Sequence, residues 1–304
     1  MEKSKVYFTD FRARPGYNLL QKLDKLSRKA GIENIDFKNK YVAIKIHFGE
    51  PGNLAYLRPN YAKIIVDLVK ELGGKPFLTD SNTLYVGGRK NALDHLDAAY
   101  QNGFSPFSTG CHIIIADGLK GTDEAYVDID QEYVKTAKIG RAVMDADIII
   151  SLNHFKGHEG AGFGGAIKNI GMGCGSRAGK MEMHNQGKPA VSQKKCVGCG
   201  ACIKICAHDA PVIADGKATI DIDKCVGCGR CIGACPKDAV HPTVDNFNDV
   251  LNCKIAEYSK AVCDGRPCFH ISLICDVSPN CDCHSENDVP IIPNVGMLAS
   301  FDPV

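Results

Sequence analysis

The sequence predicts an α/β fold, a mostly parallel sheet flanked by helices, interrupted by a small cysteine-rich α+β module. Three observations predict it. Short apolar runs alternate with amphipathic helical patterns through the first half of the chain. Eight of the 16 cysteines fall into two copies of one spacing between residues 196 and 235. After the second copy, apolar runs and a helical pattern return.

Taken in order, the strand-like runs are Tyr41–Ile46, Pro76–Thr79, His112–Ala116 and Asp147–Leu152. The pattern over Tyr61–Leu72 puts Ile64, Ile65, Leu68, Val69 and Leu72 on one helical face, and Arg89–Asn102 and Tyr133–Met144 read as further helices. Strands of four to eight residues alternating with helices imply βαβ units and parallel pairing. Near Gly157 the periodicity gives way to a glycine-rich stretch. Asn248–Val262 then reads as a helix, and Cys268–Val277 and Val289–Met297 as strand or loop. The expected organisation is an α/β domain over 1–190, an insert over 191–242, and the remainder of the α/β domain over 243–304.

Composition narrows the function classes. A formal net charge of +1 gives no electrostatic reason to expect nucleic acid or lipid as a partner. No apolar run approaches the length of a membrane span, and the first residues lack the apolar core of a signal peptide, so a cytoplasmic location is expected. Sixteen cysteines without an export signal argue against a disulfide framework. Together with clusters, they suit an anaerobic cell.

The two copies read Cys196-x₂-Cys199-x₂-Cys202-x₃-Cys206 and Cys225-x₂-Cys228-x₂-Cys231-x₃-Cys235-Pro236. Two-residue gaps let three thiolates from one tight loop converge on one face of an iron–sulfur cubane. The fourth cysteine of each run ligates the other cluster, the pattern of bacterial ferredoxins. One [4Fe-4S] cluster is thus expected on Cys196, Cys199, Cys202 and Cys235, and a second on Cys225, Cys228, Cys231 and Cys206. Gly198, Gly200, Gly227 and Gly229 suit backbone that must approach sulfur closely. Ala207 replaces the proline of the second copy but removes no ligand. Structural zinc sites use pairs separated by a spacer rather than triplets with a trailing fourth.

Outside the module, polar residues gather after the strand-like runs: Lys45, His47 and Glu50; Asp80 and Asn82; Asp117; Asn153, His154, Lys156 and His158. In open parallel sheets the binding crevice lies beyond the carboxyl ends of the strands. Lys45, His47, Asp80, His154, His158 and Lys168 are therefore the candidate catalytic residues. Gly160, Gly162 and Gly165 satisfy G-x-G-x-x-G, but no strand leads directly into them and no acidic residue follows at the dinucleotide spacing. The better reading is a glycine loop opening a short helix at Ala166–Ile170, with Lys168 adding charge for an anion. Cys281-Asp282-Cys283-His284 stands apart from the repeats. Its C-x-C spacing does not readily form a disulfide but can present two thiolates to metal. Cys174, Cys281 and Cys283 are the expected third metal site, which His184 could complete. Cys253, Cys263, Cys268 and Cys275 read as structural.

YVAIKIHFGEPGN, FLTDSNTLYVGGRKNALDHLDAAYQNGFSP, IIADGLKG, HFKGHEGAGFGGAIKNIGMGCGSRAGKMEMH and SPNCDCHSENDVPIIPNVGMLASFDPV closely resemble the uncharacterised Fe–S centre proteins of the domain of unknown function 362 family, with a ferredoxin insert. The resemblance covers nearly the whole chain. It implies the fold class and the clusters, no particular reaction, and a continuation beyond Val304. GFGGAIKNIGMG also looks like the glycine–lysine loop with which lactate-racemase-type proteins cradle a nickel-containing cofactor. The sequence therefore leaves room for a further metal or a flavin. Two functions compete: an oxidoreductase whose clusters serve a small-molecule substrate or second cofactor in the crevice, and an electron-transfer partner of another protein with the α/β domain as scaffold. A structural or metal-handling role ranks third.

Overall fold

The computed structural model describes residues 4–85, 87–185, 188–242 and 248–304. The chain begins with β1 (Tyr7–Asp10) and α1 (Leu19–Lys29), followed by β2 (Tyr41–Lys45), α2 (Pro59–Glu71), β3 (Lys75–Asp80), α3 (Ala92–Gln101), α4 (Pro106–Thr109) and β4 (Ile113–Ile115). A hairpin, β5 (Glu124–Asp128) and β6 (Thr136–Gly140), leads into α5 (Arg141–Met144) and β7 (Ile148–His154). A second hairpin, β8 (Lys156–His158) and β9 (Gly162–Gly164), precedes α6 (Ala166–Cys174) and α7 (Arg177–Asn185). The cysteine-rich lobe holds β10 (Pro189–Val191), α8 (Ala201–Ile205), β11 (Pro211–Ala214), β12 (Lys217–Ile220), α9 (Arg230–Ala234) and β13 (Val240–Pro242). The chain closes with α10 (Asn248–Cys263), β14 (Cys268–Ile274) and β15 (Gly296–Ser300).

Seven strands form the central sheet in the order β1-β15-β14-β7-β2-β3-β4. The five from β14 to β4 run parallel, and β15 and β1 add an antiparallel edge. The mostly parallel α/β fold is thus the one expected. Alternate residues of each strand serve opposite faces. Val42 and Ile44 of β2, with Ile148, Ile150 and Leu152 of β7, pack under α1 and α2. Ala43 and Ile149 face the other way, onto Ile170, Ile255 and Tyr258 of α6 and α10. Helix starts follow local chemistry. Asn18 and Gln21 form a reciprocal capping box on α1. Asn91 Oδ1 accepts from the Leu93 and Asp94 amides to open α3.

Several expectations change. Tyr133–Met144 is strand β6 followed by one turn of helix, because Val134, Ala137 and Ile139 bury on one side of a hairpin rather than on a helical stripe. Only Gly296 and Met297 of the Val289–Met297 run are strand. Helix α6 extends past Ile170 to Cys174. Strand β1 and helix α1 were not anticipated. The expected junction of the insert with residue 243 lies outside the described residues. On the near side of it, β10 and β13 pair antiparallel.

Helices α6 and α10 lie close enough that a Cβ on Gly171 would overlap the Ile255 carbonyl. Gly171→Ala should therefore destabilise the chain by about 1–3 kcal/mol, the usual cost of overpacking. A urea unfolding midpoint equal to that of the wild type would contradict this packing.

Candidate functional site

Strand order reverses between β2 and β7: β3 and β4 lie on one side of β2, β7 and β14 on the other. A crevice is expected beyond the carboxyl ends at such a point, and the polar residues gather there. Lys45 ends β2 with its ammonium 2.9 Å from Asp80 at the end of β3. Both are almost fully buried, at 1% and 4% side-chain exposure. Arg89 lies 3.7 Å and His95 3.8 Å from the same carboxylate. Burial would raise the Asp80 pKa, but Lys45, His95 and Arg89 outweigh it and hold the group below its ordinary value. Arg89 also donates from Nε to Glu50 (2.7 Å), and its Nη1 stands 3.0 Å from His47 Nε2. The Gly49 amide donates to His47 Nδ1 at 3.0 Å. Burial, then Arg89, Lys156, Lys45 and Lys168, drive the His47 pKa well below the usual histidine value.

Asn169 of α6 closes this half. It accepts from Lys45 Nζ (2.7 Å) and donates to the carbonyls of Lys45 and Leu152 and to Asn153 Oδ1. One amide thereby ties α6 to both strands that flank the reversal.

The other half is built on Asp282, wholly buried in the Cys281–His284 turn. It accepts from Lys156 Nζ at 2.8 Å and lies 2.9 Å from His154 Nδ1. His154 Nε2 lies 2.8 Å from the Cys275 carbonyl, so both ring nitrogens face acceptors. Burial opposes ionisation of Asp282, yet Lys156 and His154 keep its pKa far below the carboxylate range. Lys168 Nζ sits 3.6 Å from Cys281 Sγ. His158 accepts the Gly160 and Ala161 amides at Nδ1, which fixes its ring. Burial and then Lys168 lower its pKa. Asp117, after β4, accepts from the backbone and side chain of Asn82. Burial raises it to about 6.

All six candidates are linked by charge: Lys45 pairs with Asp80, His154 and Lys156 with Asp282, and His47 and His158 feel Lys168 and Lys156. Asp80 and His154 are locked in buried pairs. Sequence reasoning missed Arg89, His95, Asn169 and Lys180, none of which follows a strand directly. Arg89 lies beside paired glycines and Asn169 follows Lys168 in the glycine loop, which are the available signals.

The residues of the expected third metal site, Cys174, Cys281 and Cys283, sit in different surroundings. Cys174 ends α6 deep in the core, where burial pushes its thiol up to about 12 and its charged neighbours are Lys45, Asp80 and Lys180. Cys281, by contrast, has the Lys168 ammonium 3.6 Å from its sulfur, and the same charge acts on Cys283. His184 pairs with the Tyr85 hydroxyl instead, at 3.0 Å from Nδ1.

In the lobe, one small cavity is lined by Cys196, Cys199, Cys202 and Cys235. A second is lined by Cys206, Cys225, Cys228 and Cys231. Gly198 and Gly229 take positive φ in the loops around them. The Ala218 amide donates to Cys196 Sγ and the Ala239 amide to Cys235 Sγ, each at 3.2 Å. Leu84, Met181 and Ile232 pack with Cys196 and Cys202 in one buried group that joins the lobe to the α/β core.

The fold is that of an open-sheet α/β protein with buried polar residues gathered at its topological switch point. More particularly, the chain belongs to the family described as domain of unknown function (DUF362), whose profile matches residues 42–304. A thylakoid-associated protein of Synechocystis sp. is 27% identical over 124 residues, 41% of this chain and 35% of that protein. The lactate racemase apoprotein from Thermoanaerobacterium thermosaccharolyticum superposes with a TM-score of 0.44 at 13% identity, covering 84% of this chain and 45% of that one. A Thermotoga maritima protein gives 0.45 at 14%, covering 94% and 55%. The chain thus spans about a third of the curated relative and about half of the two solved structures. No helix among the described residues is long and apolar enough to cross a membrane.

Two predictions follow from the buried charges. Asp282→Asn leaves Lys156 and His154 without their carboxylate and should cost about 3–5 kcal/mol, readable as a lower urea midpoint. Burial also holds His47, His95, His158, His184 and His270 below the ordinary histidine value, His95 at about 3 and His184 and His270 at about 4. The unfolded chain takes up protons near pH 6.5 that the native state refuses, so stability should decline as pH falls from about 7 to about 5. Asp117 works the other way below pH 6, as one group against five. A midpoint that holds level or rises over that range would refute the burial assigned to these rings.

Proposed function

We propose that the lobe over 191–242 is a two-cluster ferredoxin module and that the protein is an iron–sulfur redox protein, its clusters relaying electrons to or from a substrate or second cofactor in the crevice. One observation carries the reading: each four-cysteine cavity takes three thiols from one repeat and its fourth from the other. The donor set fits the group. The cavities present sulfur, and the Ala218 and Ala239 amides point at two of the sulfurs, as groups that tune a cluster's potential do. The buried side chains of the lobe are few, and small lobes of this kind need a staple such as bound metal.

When bound, each cluster would supply single-electron exchange. The chain's own residues do the rest. The eight cysteines hold the clusters, and Leu84, Met181 and Ile232 keep water from the inner side of the lobe. At the strand ends, Lys168 is suited to attract an anionic group, and His47 and His158 are held in the neutral form, so they add no positive charge of their own. A second reading, an electron carrier for another protein, is favoured by Cys199, which is exposed at the lobe surface beside the exposed Val197.

Anaerobically purified protein should carry about eight irons and eight sulfides per chain. Cys199→Ser and Cys228→Ser should each lose about half of that iron or more, since the two clusters share one lobe. Full iron in both variants would sink the ligand assignment.

A further inference from the structure

The Cys281-Asp282-Cys283 segment is absorbed by neither the cluster reading nor a metal site, yet it is built with care. The His284 amide donates to the Cys281 carbonyl at 3.0 Å, closing a tight turn. Neither Asp282 nor Cys283 has positive φ, so the turn is of the type I kind. In an extended chain the sulfurs of a C-x-C pair are poorly placed for bonding, which is why the spacing alone argues against a disulfide. A closed turn brings Cα atoms two residues apart to about 5.4 Å, inside the roughly 4.4–6.8 Å window of disulfides; side chains so spaced diverge on a regular helix, so bond formation goes with a local adjustment of the turn. Two residues apart on one closed turn, the two thiols act on each other's ionisation, Cys281 being driven down and Cys283 up.

The turn is held from three sides. The Glu50 amide donates to the Asp282 carbonyl (2.9 Å), Asn53 Nδ2 to the His284 carbonyl (3.0 Å), and Lys156 to the Asp282 carboxylate. Cys281 is buried and Cys283 half-buried. Lys168 Nζ at 3.6 Å from Cys281 gives the pair a cationic flank, which repels a metal ion and favours sulfur that holds negative charge. The lobe is close in the chain's own terms. Leu84 packs in the buried group that contains Cys196 and Cys202, and the next residue, Tyr85, lies within electrostatic reach of Cys283.

We propose that Cys281 and Cys283 are a redox-active pair, cycling between two thiols and one disulfide within the turn and serving a crevice substrate that reacts by two electrons. Reduction breaks the S–S bond, takes up two electrons and two protons, and leaves two thiols; oxidation reverses each change. The iron–sulfur clusters, when bound, would supply the two electrons for reduction, a two-electron acceptor in the crevice would take them on oxidation, and the protons exchange with solvent on the half-buried Cys283 side. The electron source rests on the cluster reading given above; the pair itself does not.

The test uses the full chain purified without oxygen. It is oxidised mildly with diamide, unfolded, alkylated and digested. The peptide containing Cys281 and Cys283 should resist alkylation as an internal disulfide and regain both thiols on reduction. Reductive titration after oxidation should consume two more electrons in the wild type than in Cys283→Ala, with equal iron content in both. Thiols that stay alkylatable after oxidation overturn the pair, as does protection that a chelator removes. If Cys283→Ala does not fold, the wild-type peptide map still decides. An iron-free chain that still forms the disulfide supports the pair and sinks the cluster reading; full iron without the disulfide does the reverse.

Discussion

The ion pair between Lys45 and Asp80 is the constraint around which the molecule is arranged. An ammonium and a carboxylate stand 2.9 Å apart with almost no water on either. Such a pair is tolerable only when its remaining hydrogen-bonding capacity is met. Asp80 accepts the Ser81 amide at 2.9 Å and has the charges of Arg89 and His95 within 3.8 Å, while Lys45 donates to Asn169. Arg89, His95 and Asn169 come from three different segments, so one ion pair links the ends of β2 and β3 with the glycine loop after Gly87, α3 and α6. The fit leaves little space. A side chain at Gly173 would meet the Lys45 ammonium at 2.5 Å, which is why the last turns of α6 are glycine-rich.

The same rule applies to the second buried carboxylate, with a different result. Asp282 takes Lys156 and His154, and this leaves Lys168 facing sulfur instead of a carboxylate. The strand ends therefore have one side of closely paired buried charges and one where an ammonium approaches the Cys281 sulfur near the fixed ring of His158.

Much of this was legible in the residues. Strands β2, β3, β4 and β7 are short apolar runs with polar residues at their carboxyl ends, and periodicity finds such runs readily. The crossed cysteine sets follow from spacing alone. What the sequence hid has physical reasons. Val134, Ala137 and Ile139 suit a helix stripe nearly as well as the inner side of a hairpin, and the contact with α10 decided it. Arg89 and Asn169 carry no pattern that marks them, because their roles arise from long-range partners: Asn169 bonds to residues 16 to 124 positions away. Cys174 and Cys281 looked like partners because both lie in glycine-rich or turn-like segments, yet one ends a core helix and the other lines the crevice.

The chain enters the cysteine-rich lobe through β10 and leaves it through β13, and these strands are paired over three residues, Pro189 with Pro242 to Val191 with Val240. To the large sheet the lobe is a loop whose two ends are already together. The entropy of closing a loop grows only with the logarithm of its length when its ends must meet, so the ribbon makes the size of what it carries almost irrelevant to the stability of the sheet. A lineage could lengthen, trim or replace the lobe beyond that ribbon without redesigning the strands that carry the crevice.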